Sequence, residues 1–296
     1  MSLLTVRHVT TYRYSEPVLL GEHRMMFRPR ESHDLKLLDT RLAIRPNPAR
    51  LRWLHDVFDN SVAIAEFDGP TSELCFESVV TLRHFEITLP EYPLEEYASC
   101  YPFNYLDEDL PNLARALAHC YPSDNVRHWA GQFLNRLGTT GTMGLLRSMT
   151  LGIRSHFEYT RRSQKGVQSP DETLRSRRGS CRDFAVLMME ATRSLGVAAR
   201  FVSGYIFVPG NNTSVTGGGA THAWMQAYLP GAGWIDFDPT NSIVGNRNLI
   251  RVAVAWSPDH VLPLWGTFTG PADSSLGMDV TVSVTEESHE RDGVGL

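Results

Sequence analysis

The run Arg178-Gly179-Ser180-Cys181-Arg182-Asp183-Phe184 sets a thiol at the mouth of an expected helix. Behind it Phe184, Leu187, Met188, Ala191 and Leu195 recur at helical spacing, Ser180 suits the N-cap, and Gly196 suits the stop. Asp183, three residues after Ser180, gives a variant of the capping box. A cysteine in the first helical turn meets unpaired backbone N–H groups and the positive end of the helix dipole. Both favour thiolate over thiol, and thiolate is the nucleophile. Arg177, Arg178 and Arg182 add positive potential. Cys75, Cys100 and Cys120 have no comparable surroundings and read as inert thiols.

A thiolate nucleophile needs a proton shuttle and a group to orient it. Downstream of Cys181 the chain offers His222 and then Asp238, in that order. The turn Leu229-Pro230-Gly231-Ala232-Gly233 between them makes 221–228 and 234–238 a β-hairpin. Parity puts His222, Trp224, Gln226 and Tyr228 on one face, with Trp234, Asp236 and Asp238 on the facing strand. A five-residue loop pairs Tyr228 with Trp234, Gln226 with Asp236 and Trp224 with Asp238. Asp238 is then one diagonal step from His222, roughly 7–8 Å between backbones, which side chains close. Asp236 is two pairs away and too far. The opposite face (Ala223, Met225, Ala227, Ile235, Phe237) is apolar and should pack against the Cys181 helix or the core behind it.

Each residue also has a plainer reading. Cys181 alone would be a buried structural thiol, His222 a hydrogen-bonded strand histidine, and Asp238 a turn cap ahead of Pro239. Two rival classes remain open. Cys181, His222 and Asp238 are all zinc-ligand types, although a fourth ligand is unassigned and a cysteine at a helix start suits nucleophilic work better. The chain could also be a non-enzymatic interaction protein that works through its β domain.

The elements that must position these residues fall into two parts. Alternation from Leu4 to Tyr14, with further strands at 38–44, 61–67 and 73–88 between Pro-, Asn- and Gly-bearing turns, predicts an N-terminal β-sandwich over residues 1–88. The Pro-rich, acidic passage 89–96 reads as a connector. Residues 89–296 then form an α+β core, with helices at 110–120, from Asp124 to Leu137, 142–157 and 181–195, and strands at 199–208, 221–228 and 234–238. A last β pair is expected between 249–255 and 278–284.

The 296 residues are 42% hydrophobic and 21% charged, and the net charge of −5 leaves no basic field for nucleic acid or an anionic membrane. No apolar run reaches membrane-spanning length, and the first residues do not read as a signal peptide. Scattered, unpaired cysteines make the cytoplasm the expected compartment. Nucleotide-binding glycine loops, the serine-hydrolase elbow and the common zinc motifs are missing from the sequence.

Residues 179–185, 193–205, His222-Ala223-Trp224, Gly233-Trp234 and Phe237-Asp238-Pro239-Thr240-Asn241 resemble the bacterial transglutaminase-like superfamily. Residues 1 to about 85 resemble the β domain found ahead of such cores. The resemblance implies a papain-like core whose Cys-His-Asp triad maps onto Cys181, His222 and Asp238, in agreement with the parity argument. It departs from the family pattern at Gln226, where an acidic residue is usual. The implied chemistry is a thioester formed on Cys181 from a peptide or glutamine-type amide, then hydrolysis or, alternatively, transamidation. Hydrolysis is favoured because no second-substrate pocket is evident. The Cys181 backbone N–H would hold the oxyanion. Tyr159 is a candidate second donor and Trp224 a candidate cleft wall, although both also read as ordinary packed aromatics. No cofactor, structural metal or calcium is implied. The expected partner is a peptide or protein substrate, with substrate delivery, cleft shielding and homo-oligomer formation all open for the N-terminal domain.

Overall fold

The computed structural model describes residues 1–87, 92–162, 164, 166–210, 215–271 and 273–287. Residues 88–91, which hold the expected domain boundary and the start of the connector, lie outside the described residues.

The N-terminal part is built around β1 (Ser2–Met25), with β2 (Leu35–Arg45), β3 (Arg50–His55), β4 (Ser61–Glu66) and β5 (Pro70–His84). The first half of β1 runs beside β5, and its second half reaches β4. The register against β5 shifts between Arg13 and Val18. Pro17 falls in that interval, and a residue without an N–H cannot continue the ladder. The sheet curls there. One face of β1 therefore serves two cores. Tyr14, Val18 and Leu20 close on Ile44, Ala63, Ala65, Leu74 and Phe76 inside the one curled sheet that these strands form, while Leu4 and Val6 pack toward the second part of the chain.

That second part carries α1 (Leu110–Leu117), α2 (Asp124–Gly131), α3 (Thr142–His156), α4 (Pro170–Ser176) and α5 (Cys181–Ser194). They precede an antiparallel sheet of β6 (Ala199–Ile206), β7 (His222–Leu229), β8 (Gly233–Asp238) and β9 (Leu249–Ala255), with the short strand Ile243–Val244 at one edge. Ala223, Met225, Ala227, Ile235 and Phe237 pack with Phe184, Leu187, Met188 and Ala191 of α5, as the apolar parity predicts. This is the α+β, papain-like arrangement expected from the sequence.

The last two described strands return to the first. β10 (Leu264–Thr269) and β11 (Ser275–Glu286) both pair with β1. The expected pairing of 249–255 with 278–284 does not form, because β9 pairs with β6. The two closing strands thus join the N-terminal sheet rather than the sheet of the core. Composition explains the separation. Leu249–Ala255 is almost wholly buried and needs covering on both faces, whereas Ser275–Glu286 is mostly exposed and suits an edge. The second helix also stops at Gly131, short of Leu137.

Polar contacts join the two parts. Asn60, fully buried, acts as a strand edge for β9: its Nδ2 donates to the Val254 carbonyl and its Oδ1 accepts the Val254 N–H, both at 2.9 Å. His8 Nδ1 lies 2.9 Å from the Tyr205 hydroxyl. Asn60→Ala would strand two buried backbone groups, and the unfolding free energy should fall by about 2–4 kcal/mol. Urea denaturation checks this, and unchanged midpoints would show the bridge to be dispensable.

Candidate active site

The start of α5 is fixed by one buried carboxylate. Asp183 Oδ2 accepts the Ser180 backbone N–H and the Ser180 hydroxyl, both at 2.8 Å. Asp183 Oδ1 takes Arg162 Nη1 at 2.7 Å and the Gln168 N–H at 2.6 Å. The capping box read from the sequence is therefore also the anchor of the 162–168 segment. Just ahead of it, Glu158–Tyr159 pairs in parallel with Arg178–Gly179. A Cβ on Gly179 would lie 2.9 Å from the Asp183 Cβ and 3.2 Å from the Phe184 ring, so this approach requires glycine. Cys181 emerges at the first helical position, 7% exposed.

β7 and β8 deliver the other two groups. Gln226 faces Asp236 and Tyr228 faces Trp234, the register that the loop length dictates. His222 Nε2 lies 2.8 Å from Asp238 Oδ2, with both side chains fully buried. Asp238 accepts further hydrogen bonds from the Thr240 N–H at 2.8 Å, the Asn241 N–H at 3.4 Å and Asn241 Nδ2 at 2.8 Å. The turn-cap reading of Asp238 thus holds through Oδ1, while its Oδ2 meets the imidazole. With Nε2–H donated to Asp238, the neutral ring carries its lone pair on Nδ1. That atom is buried and makes no hydrogen bond.

Burial alone would lower the His222 pKa, but the Asp238 charge and hydrogen bond, with the Cys181 sulfur, override it and hold the pKa well above the ordinary range. Asp238 moves the opposite way. Burial would raise it, and the His222 charge with the Asn241 and Thr240 hydrogen bonds pull it down.

Cys181, His222 and Tyr159 line one cleft of about 220 Å³, together with Ser180, Arg161 and Arg182. Tyr159 is half-buried, and burial together with the Cys181 charge raises its pKa, keeping it a neutral O–H donor. Trp224 is placed differently from the cleft wall expected of it. Its indole is fully buried among Val202, Ile206, Leu249 and Val254. It stacks behind the His222 ring at 5.9 Å between centroids and donates Nε1–H to Asp236 Oδ1 at 2.6 Å. The cleft side belongs instead to the loop before β7, where a Cβ on Gly217 would lie 2.6 Å from His222 Nδ1. Asn241 ties that loop down, taking the Thr216 N–H at 2.7 Å and donating to the Thr216 carbonyl at 3.0 Å. The β11 N–H of Val282 donates to the Gly219 carbonyl. Asn241 was visible only as part of a motif; its double task depends on Thr216, which lies on the far side of the whole β7–β8 hairpin in the chain.

This geometry does not suit a three-ligand zinc site. Asp238 sits behind the imidazole, bonded to Nε2, rather than converging with the thiol on a shared point.

Residues 4–83 match the bacterial transglutaminase-like N-terminal region, and residues 132–239 match the transglutaminase-like superfamily. The chain belongs to the transglutaminase-like superfamily. An uncharacterized Mycobacterium leprae protein is 28% identical over 289 residues, covering 95% of this chain and 98% of the relative. A Pseudomonas aeruginosa protein-glutamine gamma-glutamyltransferase is 31% identical over 96 residues, 31% of this chain and 14% of that protein. The solved structure of a Cytophaga hutchinsonii protein described as a "putative cysteine protease" shares the fold, with a TM-score of 0.68 and 20% identity, over 97% of this chain and 92% of that one.

The opposed shifts fix the sign of the pH dependence. His222 binds its proton more tightly when folded, so its contribution to stability is complete below 6.5 and fades as pH rises through its raised folded value. The Asp238 contribution is complete above 3.8 and fades as pH falls through its lowered value. Asp238→Asn leaves burial dominant, and the His222 ring should then titrate below 6.5 instead of above it. Ring NMR signals followed over pH test this, and an Asp238→Asn ring still charged at pH 8 would contradict it.

Proposed function

We propose that the protein is a thiol-dependent amide hydrolase working through Cys181, His222 and Asp238. The observation that carries this reading is His222: its Nε2 is held by a buried carboxylate, and its Nδ1 is left without a partner beside a thiol at a helix mouth.

His222 Nδ1 takes the thiol proton, Cys181 Sγ attacks the amide carbonyl carbon as thiolate, and the tetrahedral oxyanion is met by the Cys181 backbone N–H, which has no helical partner in the first turn, and by the Tyr159 hydroxyl. As the C–N bond breaks, His222 gives its Nδ1 proton to the departing amine and an acyl thioester remains. Water then attacks the thioester, His222 Nδ1 takes its proton, and the acid product leaves with the thiol regenerated. Asp238 holds the tautomer and stabilises the imidazolium. The sequence of steps needs no cofactor. Hydrolysis is favoured because Arg161 and Gln164 on the cleft rim are exposed, leaving the thioester within reach of water.

The cleft also carries charge. Asp183 neutralises Arg162, but Arg161 and Arg182 face the same space, and among the described residues no carboxylate lines it. A peptide amide flanked by an acidic side chain fits this field, and a basic flank is disfavoured. The proposed setting is the cytoplasm, with a peptide or protein as substrate.

Cys100 and Cys120 are exposed and Cys75 is buried, so exposure alone would favour labelling of the first two. At pH 6 iodoacetamide should nonetheless modify Cys181 first, as peptide mapping would show; labelling that follows exposure would count against an activated thiol. In a second assay, peptides flanking one amide with Glu or with Lys are offered together with a labelled primary amine. The Glu peptide should turn over several-fold faster, acid product should exceed amine adduct, and Cys181→Ala should give neither. Adduct in excess of acid would make the protein a transferase.

A further inference from the structure

A second cavity, of about 480 Å³, opens between the N-terminal part and the core. Its walls come from the 30–34 segment on one side and from β6, the β7–β8 hairpin and β9 on the other. Cys181 and His222 do not line it. The volume suits a metabolite-sized molecule.

Three guanidinium groups converge on it, and their partners differ. Arg251 reaches Asp34 Oδ1 at 3.2 Å and Asp236 Oδ2 at 3.7 Å, so two of the three carboxylates that line the cavity share that one cation, and the third, exposed Glu31, accepts the Leu37 N–H. Arg30 donates to the Phe58 carbonyl at 2.8 Å and to exposed Asp59 at 3.2 Å. Arg200 has no carboxylate within 4.0 Å among the described residues. Its Nε donates to Gln226 Oε1 at 2.8 Å, and its guanidinium lies over the Trp234 ring, 4.1 Å from the centroid. Burial and the neighbouring charges of Arg251 and Arg30, partly offset by Asp236, draw its pKa down to about 9. The cation is thus enclosed, stacked and held by one amide, with its outer N–H donors unclaimed by any acid.

Gln226 creates this condition. Its amide accepts from Arg200 with Oε1 and donates to Asp236 Oδ1 through Nε2 at 2.8 Å. A carboxylate at this position would neutralise Arg200 and could not donate to Asp236. The amide does both jobs and leaves Arg200 without a paired carboxylate among the described residues.

We propose that this interdomain cavity binds a small organic anion whose carboxylate or phosphate group is held by Arg200. Trp234 and Tyr92, which also line the cavity, offer apolar surface to the rest of such a ligand. A planar guanidinium held flat on an indole presents its outer edge for paired hydrogen bonds to an oxyanion.

Isothermal titration of the full chain in low-salt buffer tests the proposal, with inorganic phosphate and succinate as separate probes. At least one should bind saturably at a single site, and the probe that does so identifies the anion chemistry. Arg200→Gln and Gln226→Glu should each weaken binding about tenfold or more. Cys181→Ala should bind as the parent does, which separates this site from the amide chemistry. Circular dichroism establishes that each variant is folded, and Gln226→Glu keeps the test decisive if Arg200→Gln does not fold. Absence of saturable binding by either probe, or unchanged affinity in a folded variant, would overturn the proposal.

Discussion

An imidazole and a carboxylate buried together, 2.8 Å apart and both without solvent exposure, set the terms for everything around them. Their attraction does not by itself repay the loss of water, and removing one partner of such a pair costs about 3–5 kcal/mol. The remaining oxygen lone pairs of Asp238 therefore need donors, and Thr240 and Asn241 provide them. Asn241 in turn needs its own amide satisfied and finds the Thr216 backbone in both directions. The loop that covers His222 is thus positioned as a consequence of keeping a carboxylate ionised in the interior. The hydrogen-bond chain that stabilises the pair also shapes the cleft wall.

The N-terminal sheet belongs to the same arrangement rather than standing beside it. β11 pairs along β1 and also holds the Gly219 carbonyl, in the loop that leads into His222. Leu4, Val6, Val80, Leu82 and Val282 join the same apolar cluster as α5. Asn60 and Asp34 meet β9 with side-chain hydrogen bonds and an ion pair. The apolar cluster supplies the burial between the two parts, and these polar contacts fix their orientation.

Local rules made the placing of Cys181, His222 and Asp238 legible. A cap residue, an apolar stripe and a stop glycine define α5 without reference to the rest of the chain, and loop length with strand parity fixes which aspartate meets His222. Where the reading failed, the deciding interaction was distant or the element was short. α4 is too short for periodicity to show, although Ser169-Pro170-Asp171-Glu172 is a start signal that could have located it. Arg50–His55 is exposed along nearly all its length and shows no buried alternation. The last strands find their partner at the opposite end of the chain, and nothing in a local pattern specifies such a pairing. Trp224 shares a face with His222 as parity requires. Parity does not report that Leu249 and Val254 of β9, with Phe58, Val215 and Ile243, cover that face, which makes the indole a core residue.

The two aspartates of β8 show how little residue type decides alone. Asp236 and Asp238 lie on one face of one strand, and both are buried. Asp238 meets an imidazole that becomes a cation and three further donors, so its proton affinity falls. Asp236 meets an indole N–H and a neutral amide, with its cation Arg251 at 3.7 Å, so burial prevails and its proton affinity rises. The first is suited to steadying a base through a reaction cycle. The second is suited to bearing a load between Trp224 and Gln226, and hence between the back of the His222 ring and the amide that holds Arg200. One short strand therefore links the cleft to the interdomain cavity through side chains whose roles are set by their neighbours' charges and donors.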